Sequence, residues 1–209
     1  MSRSDSNAIT SDLANLAYYE ANAAMYAEQT SHADLSHLYE PFLSLLPQGA
    51  RILDVGCGGG RDLRAFRERG FKAFGIDPSP ALVEIARQHS GAEVAIARVE
   101  ELEFVEEFDA VWACASLLHL PKSELSQALR RIQRSLVPGG VFFLSVQAGS
   151  GEDFSEDGRF YSRYDEAEIR MVVRATGLDI LETWGTADSL ASRNGMCWIN
   201  LLARKPLSA

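Results

Sequence analysis

A short apolar segment that ends in a cluster of glycines constrains this chain more than any other feature. Residues 51–55 read RILDV, and four of the next five residues are glycine. Glycine has no Cβ, so it lets the backbone turn tightly and approach a ligand closely. The pattern predicts a buried strand, a ligand-binding turn, and a helix from Arg61 to about Gly70 whose first N–H groups face the turn.

Predicted strands and helices alternate after this turn. We expect strands at 72–76, 93–97, 109–113, 141–146, 178–183 and 197–203, and helices at 79–89 and 122–136. Asp165 and Glu168 have the spacing of a capping box and predict one further helix. Alternating elements of this kind predict an α/β fold with a doubly wound, mainly parallel seven-stranded sheet, covered by helices on both faces.

The sequence shows no repeat, low-complexity tract or long linker, so we expect a single domain over residues 1–209. Its expected parts are a loose polar tail at 1–10, a helical cap at 11–47, a cofactor-binding core at 51–146, and a lid loop with the last strands at 147–209.

Composition disfavours several classes of protein. The chain has 29 acidic and 20 basic residues, a net charge of −9, which argues against a broad nucleic-acid surface built on clustered Lys and Arg. The longest mostly apolar run, residues 110–118, is shorter than the ~20 residues that a membrane span needs. The three cysteines lack metal-ligand spacing, so we expect no metal and no disulfide framework. We therefore expect a cytoplasmic monomer or homodimer.

Asp77 ends the second predicted strand, where an acid can accept hydrogen bonds from two ribose hydroxyls. Together with Gly56 and Gly58 it predicts a nucleoside pocket. A dinucleotide fingerprint would need glycine at position 61, where this chain has Arg61. Gly56, Gly58 and Asp77 alone allow a nicotinamide-dependent oxidoreductase as one alternative, although Arg61 argues against it, and a non-catalytic nucleotide-binding module is another.

Four stretches resemble the class I S-adenosylmethionine-dependent methyltransferases. They are ILDVGCGGG at 52–60, GIDPSP at 75–80, FDAVWACASLLHL at 108–120 and LVPGGVFFLSV at 136–146. The resemblance implies a Rossmann-like sheet, S-adenosyl-L-methionine as cofactor, and methyl transfer to an acceptor. The stretches WACASLLHLP and GRD are similar to small bacterial methyltransferases associated with tellurite resistance, which makes a tellurite or selenite oxyanion a minority alternative for the acceptor.

The same resemblance implies roles for individual residues in cofactor binding. Asp77 is expected to hold the ribose and Pro78 to flank the adenine. Val99 and Glu100 are expected to cap the adenine, although Arg98 stands where relatives often have an acid. The remaining expected cofactor residues belong to the glycine turn and to the loop after the fourth strand, and they are Asp54, Gly56, Cys57, Gly58, Cys114, Ala115 and Ser116.

Two tyrosines of the N-terminal helix and one arginine are candidates for the methionine carboxylate. Tyr19 and Tyr26 are seven residues apart and share one helix face, so the helix is expected to close over the cofactor. Arg61 begins the helix after the glycine turn and carries forked donors suited to a carboxylate. Packing against the core is the alternative for the tyrosines, and a solvated helix position is the alternative for Arg61.

His119 is the candidate catalytic residue, because imidazole can orient or deprotonate an acceptor near neutral pH. A hydrogen bond to backbone is the alternative role. In the expected lid loop, Glu152, Arg159 and Phe160 are candidates for substrate contact, and Trp184 and Trp198 could wall the same cavity. Because the chain offers no further domain and no basic excess, we expect a small-molecule acceptor, neutral or cationic.

Overall fold

The computed structural model describes the backbone of residues 3–189 and 195–207, and the side chains of residues 11–189 and 195–207. The helices of these residues are α1 (Arg3–Ser31), α2 (Ser36–Leu43), α3 (Arg61–Glu68), α4 (Pro80–Ser90), α5 (Lys122–Ser135) and α6 (Glu166–Arg174). The strands are β1 (Arg51–Val55), β2 (Lys72–Asp77), β3 (Glu93–Ile96), β4 (Phe108–Cys114), β5 (Leu136–Gln147), β6 (Glu152–Phe154), β7 (Phe160–Ser162), β8 (Asp179–Ala187) and β9 (Cys197–Arg204). Two 3₁₀ turns lie at Val99–Glu101 and Leu117–His119.

Seven strands form one twisted sheet in the order β3-β2-β1-β4-β5-β9-β8. The strands from β1 to β5 pair in parallel, whereas β9 is antiparallel to both β5 and β8. The predicted mainly parallel seven-stranded sheet is therefore confirmed. The strand order reverses between β1 and β4, and a ligand of such a sheet binds beyond the carboxyl ends of the strands at this point.

The central strands are buried on both faces, which explains their continuous apolar runs. In β4, Val111 and Ala113 pack with the core under α5 and α6, and Ala110 and Trp112 pack with the core under α2 and α3. Successive residues of a strand point to opposite faces, so both neighbours must be apolar here. The sheet thus forms a rigid platform for the loops at its carboxyl edge.

Helix boundaries follow the local signals in the sequence. The Ser79 hydroxyl accepts a hydrogen bond from the Leu82 N–H at 3.2 Å at the start of α4, and Gly91 ends that helix with φ of 61°. Asp165 accepts from the Glu168 N–H at 2.8 Å and begins α6, as the predicted capping spacing requires.

The structure differs from the predictions at the N-terminus and in the lid loop. Helix α1 begins at Arg3, so the expected loose tail is wrong from that residue onward, and residues 1 and 2 lie outside the described part. The expected loop contains the short hairpin β6–β7. These strands have three residues each, and β6 is exposed throughout, so they carry no periodic apolar signal. No helix in the described part is long and apolar enough to cross a membrane.

Candidate active site

A cleft of about 810 Å³ lies at the carboxyl ends of β1, β2 and β4, beneath α1. Its walls come from three sources: the glycine turn, the loops after β2, β3 and β4, and one face of α1. The structure brings together here most of the residues predicted to bind cofactor, and also His119. The predicted residues that line the cleft are Tyr19, Tyr26, Gly56, Gly58, Asp77, Pro78, Val99, Glu100, Ala115, Ser116 and His119.

Asp77 connects the glycine turn to the loop after β2. Its Oδ2 accepts a hydrogen bond from the Gly58 N–H and its Oδ1 accepts one from the Ser79 N–H, each at 2.9 Å. Burial raises the pKa of the Asp77 carboxyl to about 6, although these two hydrogen bonds oppose the shift. Each oxygen retains a second lone pair, so the carboxylate can also accept from a pair of hydroxyls in the cleft.

The turn leaves room for a ligand and offers polar atoms to it. Gly58 has φ of 53°, and a Cβ added there would lie 3.4 Å from the Tyr26 ring, so glycine keeps the space below α1 open. The buried Ser116 hydroxyl in the cleft wall has no hydrogen-bond partner among the described residues. These features fit a nucleoside with a polar amino-acid tail, the chemical form of S-adenosylmethionine.

Asp54 and Cys57 lie beneath the turn and do not line the cleft. The Asp54 side chain is buried, and its Oδ2 has no partner among the described residues. Burial raises the pKa of this carboxyl, and the negative charge of Asp62 adds to the shift. Cys57 is also buried, and burial raises the pKa of its thiol, consistent with a packing role.

Arg61 is occupied by its neighbour Asp62. Its Nε and Nη2 donate to the two carboxylate oxygens at 2.6 and 3.0 Å. Tyr39 and Trp112 donate to the same carboxylate at 2.5 and 2.8 Å. Burial opposes ionisation of Asp62, but Arg61 and these hydrogen bonds outweigh it and lower the pKa. The structure therefore places Arg61 in a buried network that fixes α2 and α3 to β4.

A second cavity, of about 590 Å³, adjoins the cleft. Arg61 and Cys114 line this cavity and not the cleft, whereas Tyr26 and Ala115 line both. Burial raises the pKa of the Cys114 thiol above its usual range, so this cysteine is a protonated wall residue.

Tyr19 and His119 form a hydrogen-bonded pair in the cleft wall. The Tyr19 hydroxyl lies 2.8 Å from His119 Nε2, and His119 Nδ1 lies 2.8 Å from the Phe160 carbonyl oxygen. A carbonyl can only accept, so we assign the ring proton to Nδ1, and Nε2 accepts from Tyr19. Burial raises the pKa of Tyr19, so this hydroxyl is protonated near neutral pH and can donate, although the charge of Arg159 opposes the shift.

The predicted substrate residues of the lid do not line the cleft. The Arg159 guanidinium pairs with Asp157 and lies 4.3 Å from the centre of the Tyr18 ring. Phe160 is buried and contributes its backbone to the site. Glu152 is exposed and accepts from the Lys122 N–H at 2.7 Å. The hairpin thus supports the Tyr19–His119 pair through the Phe160 carbonyl.

Neither predicted tryptophan walls the cleft. Trp184 packs against Phe143 with ring centres 6.1 Å apart. Trp198 lines the second cavity, and its Nε1 donates to Asp188 at 2.9 Å. The prediction of a shared cavity fails because β8 and β9 lie at the far edge of the sheet, beyond β5.

Sequence reasoning missed several residues of α1 that hold the helix over the cleft. Glu20 accepts from the Ser79 hydroxyl at 2.5 Å and from the Ala81 N–H at 3.0 Å. Asp12 forms an ion pair with Arg98, the residue that replaces the expected acid. Residues 12, 15, 19 and 26 are spaced by three, four and seven positions, so they lie on one face of a helix. The helix face that carries Tyr19 and Tyr26 therefore also predicts Asp12 and Asn15 as polar residues of the cleft.

Comparison with known proteins relates part of this chain to methyltransferases. Residues 52–140 match the family model of the methyltransferase domain. A ubiquinone biosynthesis O-methyltransferase of Xanthomonas axonopodis pv. citri (strain 306) is 41% identical over 109 residues, which is 49% of this chain and 45% of the relative. This chain thus spans about half the length of the curated relatives it matches.

Solved structures show the same fold over most of the chain. The 1,6-didemethyltoxoflavin-N1-methyltransferase of Burkholderia thailandensis, with bound 1,6-didemethyltoxoflavin and S-adenosylhomocysteine, has a TM-score of 0.77 and 22% identity, covering 97% of this chain and 89% of that one. A TehB-like S-adenosylmethionine-dependent methyltransferase of Corynebacterium glutamicum ATCC 13032 has a TM-score of 0.70 and 20% identity, covering 90% and 98%.

Residues 52–140 are thus similar to the methyltransferase domain, and the described chain has the fold of the compared S-adenosylmethionine-dependent methyltransferases. The nicotinamide-dependent alternative gains no support from these comparisons. In the described part of the chain, no group of three or more His, Cys, Asp or Glu side chains is arranged to hold a metal ion.

Proposed function

We propose that this chain is a class I S-adenosylmethionine-dependent methyltransferase and that it transfers a methyl group in line to a small-molecule acceptor. The observation that carries the proposal is the Tyr19–His119 pair, which lines the same cleft as Asp77 and the glycine turn. A cofactor site and a proton-accepting pair therefore share one space beneath α1.

The cofactor residues divide into a group for the nucleoside and a group for the methionine part. Asp77 is positioned to accept from the ribose hydroxyls, while Val99 and Glu100 stand at the adenine end. Gly56, Gly58 and Ser116, together with Tyr26, stand at the methionine end. When bound, S-adenosylmethionine supplies an electrophilic methyl group on a sulfonium centre, so the protein needs no nucleophile of its own.

Tyr19 and His119 accept the proton that the acceptor must lose. The acceptor donates its hydrogen to a lone pair of the Tyr19 oxygen, and the Tyr19 proton moves to His119 Nε2 over 2.8 Å. The Phe160 carbonyl then holds the Nδ1 proton of the resulting imidazolium. General base assistance of this type contributes roughly 10²- to 10⁴-fold to a rate.

The size and walls of the site favour a small acceptor. Helix α1 covers the cleft, and the β6–β7 hairpin supports the middle of this helix through Phe160 and Asn15, so a folded protein or duplex cannot approach the turn without displacing both. The net charge of −9 disfavours a polyanion such as RNA. A relay of this kind serves acceptors with an O–H or N–H group, consistent with the O-methyltransferase name of the Xanthomonas relative.

The decisive experiment is a labelled-methyl screen of the purified protein. Methyl-labelled S-adenosylmethionine is incubated with small metabolites, tellurite and selenite, tRNA, or cell-extract proteins, and each fraction is counted. We expect label in neutral or cationic small metabolites. Label that enters only RNA or protein contradicts the small acceptor, and label on the oxyanions alone would instead support the tellurite alternative.

A binding measurement separates the enzyme from its alternatives. We expect titration calorimetry to show binding of S-adenosylmethionine and S-adenosylhomocysteine but not of NADH. Binding of NADH alone contradicts the proposal, and tight S-adenosylmethionine binding without transfer to any fraction indicates a non-catalytic binding module.

A further inference from the structure

Asn15 lies at the point where α1, the Leu117–His119 turn and the β6–β7 hairpin meet. It is only 6% exposed and lines the cleft one helical turn before Tyr19. Its Oδ1 accepts from the Phe160 N–H at 2.8 Å, and its Nδ2 lies 3.4 Å from the Phe160 carbonyl oxygen and 3.3 Å from the His119 carbonyl oxygen. One buried amide therefore holds both backbone polar groups of Phe160 and the carbonyl of His119.

The Phe160 carbonyl is also the partner of His119 Nδ1. The position of this carbonyl decides which ring nitrogen carries the proton, and thus whether Nε2 can accept from Tyr19. Asn15 bonds to the carbonyl that holds Nδ1 of His119. The same helix, α1, also carries Tyr19, which bonds to Nε2 of that ring. Residues four apart lie on the same face of a helix, so the two contacts move together.

We propose that Asn15 is a positioning residue for the methyl transfer, which acts through His119 by fixing the Phe160 backbone, whose carbonyl holds the imidazole. The inference rests on the proposed function, since it concerns the Tyr19–His119 pair of that reaction. It assigns to Asn15 control of the His119 tautomer and ring orientation, and no part in holding the ribose or adenine.

The test replaces Asn15 with leucine, which has a similar size and no polar atoms. Asn15→Leu should lower kcat about tenfold to a hundredfold, since small misplacements of catalytic groups cost rates of this order. The affinity for S-adenosylhomocysteine should stay within about twofold of the wild-type value. Asn22→Leu is the matched control, because Asn22 lies on the same helix and, among the described residues, its side chain bonds to the backbone of that helix, at Tyr18.

A double variant separates positioning from general damage. In a His119→Ala background, Asn15→Leu should cause no further loss, because its effect passes through the missing imidazole. An equal loss in both backgrounds overturns the inference, and so does an unchanged kcat or a parallel fall in S-adenosylhomocysteine affinity. If Asn15→Leu does not fold by circular dichroism, Asn15→Asp, which loses both donated bonds, replaces it in the same comparison.

A readout without catalysis keeps this inference distinct from the proposed function. Two-bond ¹H–¹⁵N spectra of the His119 ring should show a protonated Nδ1 in the wild type and a mixture of tautomers in Asn15→Leu. The same tautomer in both proteins overturns the inference even if methyl transfer is found. A loss of tautomer preference supports it, while failure of the wild type to transfer methyl counts against the proposed function alone.

Discussion

The state of the Asp77 carboxyl should control cofactor affinity between pH 5 and pH 8. The pKa of this buried group is raised to about 6, and the ribose hydroxyls bind to its ionised form. Lowering the pH through 6 protonates the carboxyl and removes the acceptor, so affinity must fall as pH falls. With about nine-tenths of the groups protonated at pH 5, binding of S-adenosylhomocysteine should be about tenfold weaker there than at pH 8.

Asp77→Asn tests whether this group is responsible. Both carboxylate oxygens accept backbone N–H groups, so an amide must turn its NH₂ against Gly58 or Ser79 and lose that bond. Losing one charged hydrogen bond to the ribose should weaken binding by about 2 to 3 kcal/mol at pH 8, or roughly 30- to 150-fold. The affinity of this variant should then be nearly independent of pH.

Titration calorimetry at pH 5, 6, 7 and 8 measures both effects, with circular dichroism confirming folding. Asp34→Asn is the control, because Asp34 is exposed and lies before α2, outside the cleft. It should keep the tenfold dependence. If Asp77→Asn retains the same pH dependence as the wild type, another group in the cleft titrates and the ribose assignment is wrong.

Three further predictions concern the turn, the buried network and the covering helix. Gly58→Val should abolish S-adenosylhomocysteine binding in calorimetry, whereas Gly70→Val, at a glycine that also has a positive φ (87°) but open space around it, should bind normally. Asp62→Asn should lower the free energy of unfolding by about 3 to 5 kcal/mol in urea melts, because it removes one partner of a buried ion pair. Amide exchange over residues 13–28 should slow when S-adenosylhomocysteine binds, and Glu20→Gln should speed this exchange in the free protein. Equal protection with and without ligand would show that α1 is a permanent part of the core.

The sequence predicted the parts of the site that depend on local pattern. The turn after β1 and the acid that ends β2 are readable because a parallel sheet brings consecutive strand ends to one edge. The burial of Arg61 against Asp62 could not be predicted from the sequence. The other partners of Asp62 are Tyr39 and Trp112, which are 23 and 50 residues away from it along the chain.

The support of the Tyr19–His119 pair depends on contacts that are even longer in sequence. Phe160 bonds to His119 across 41 residues and to Asn15 across 145 residues, through a hairpin too short to show a period of its own. Its side chain was predicted to touch substrate, but the structure uses its backbone. A local pattern indicates which side chains are apolar, and it does not show where a peptide carbonyl will point.

The most direct test of the account is the single-turnover rate of methyl transfer in the wild type and in Tyr19→Phe, with donor and acceptor both saturating. The variant keeps the ring and removes only the hydroxyl that donates to His119 at 2.8 Å. We predict a rate at least about a hundredfold lower, with unchanged affinity for S-adenosylhomocysteine. Transfer by Tyr19→Phe at the wild-type rate would contradict the account.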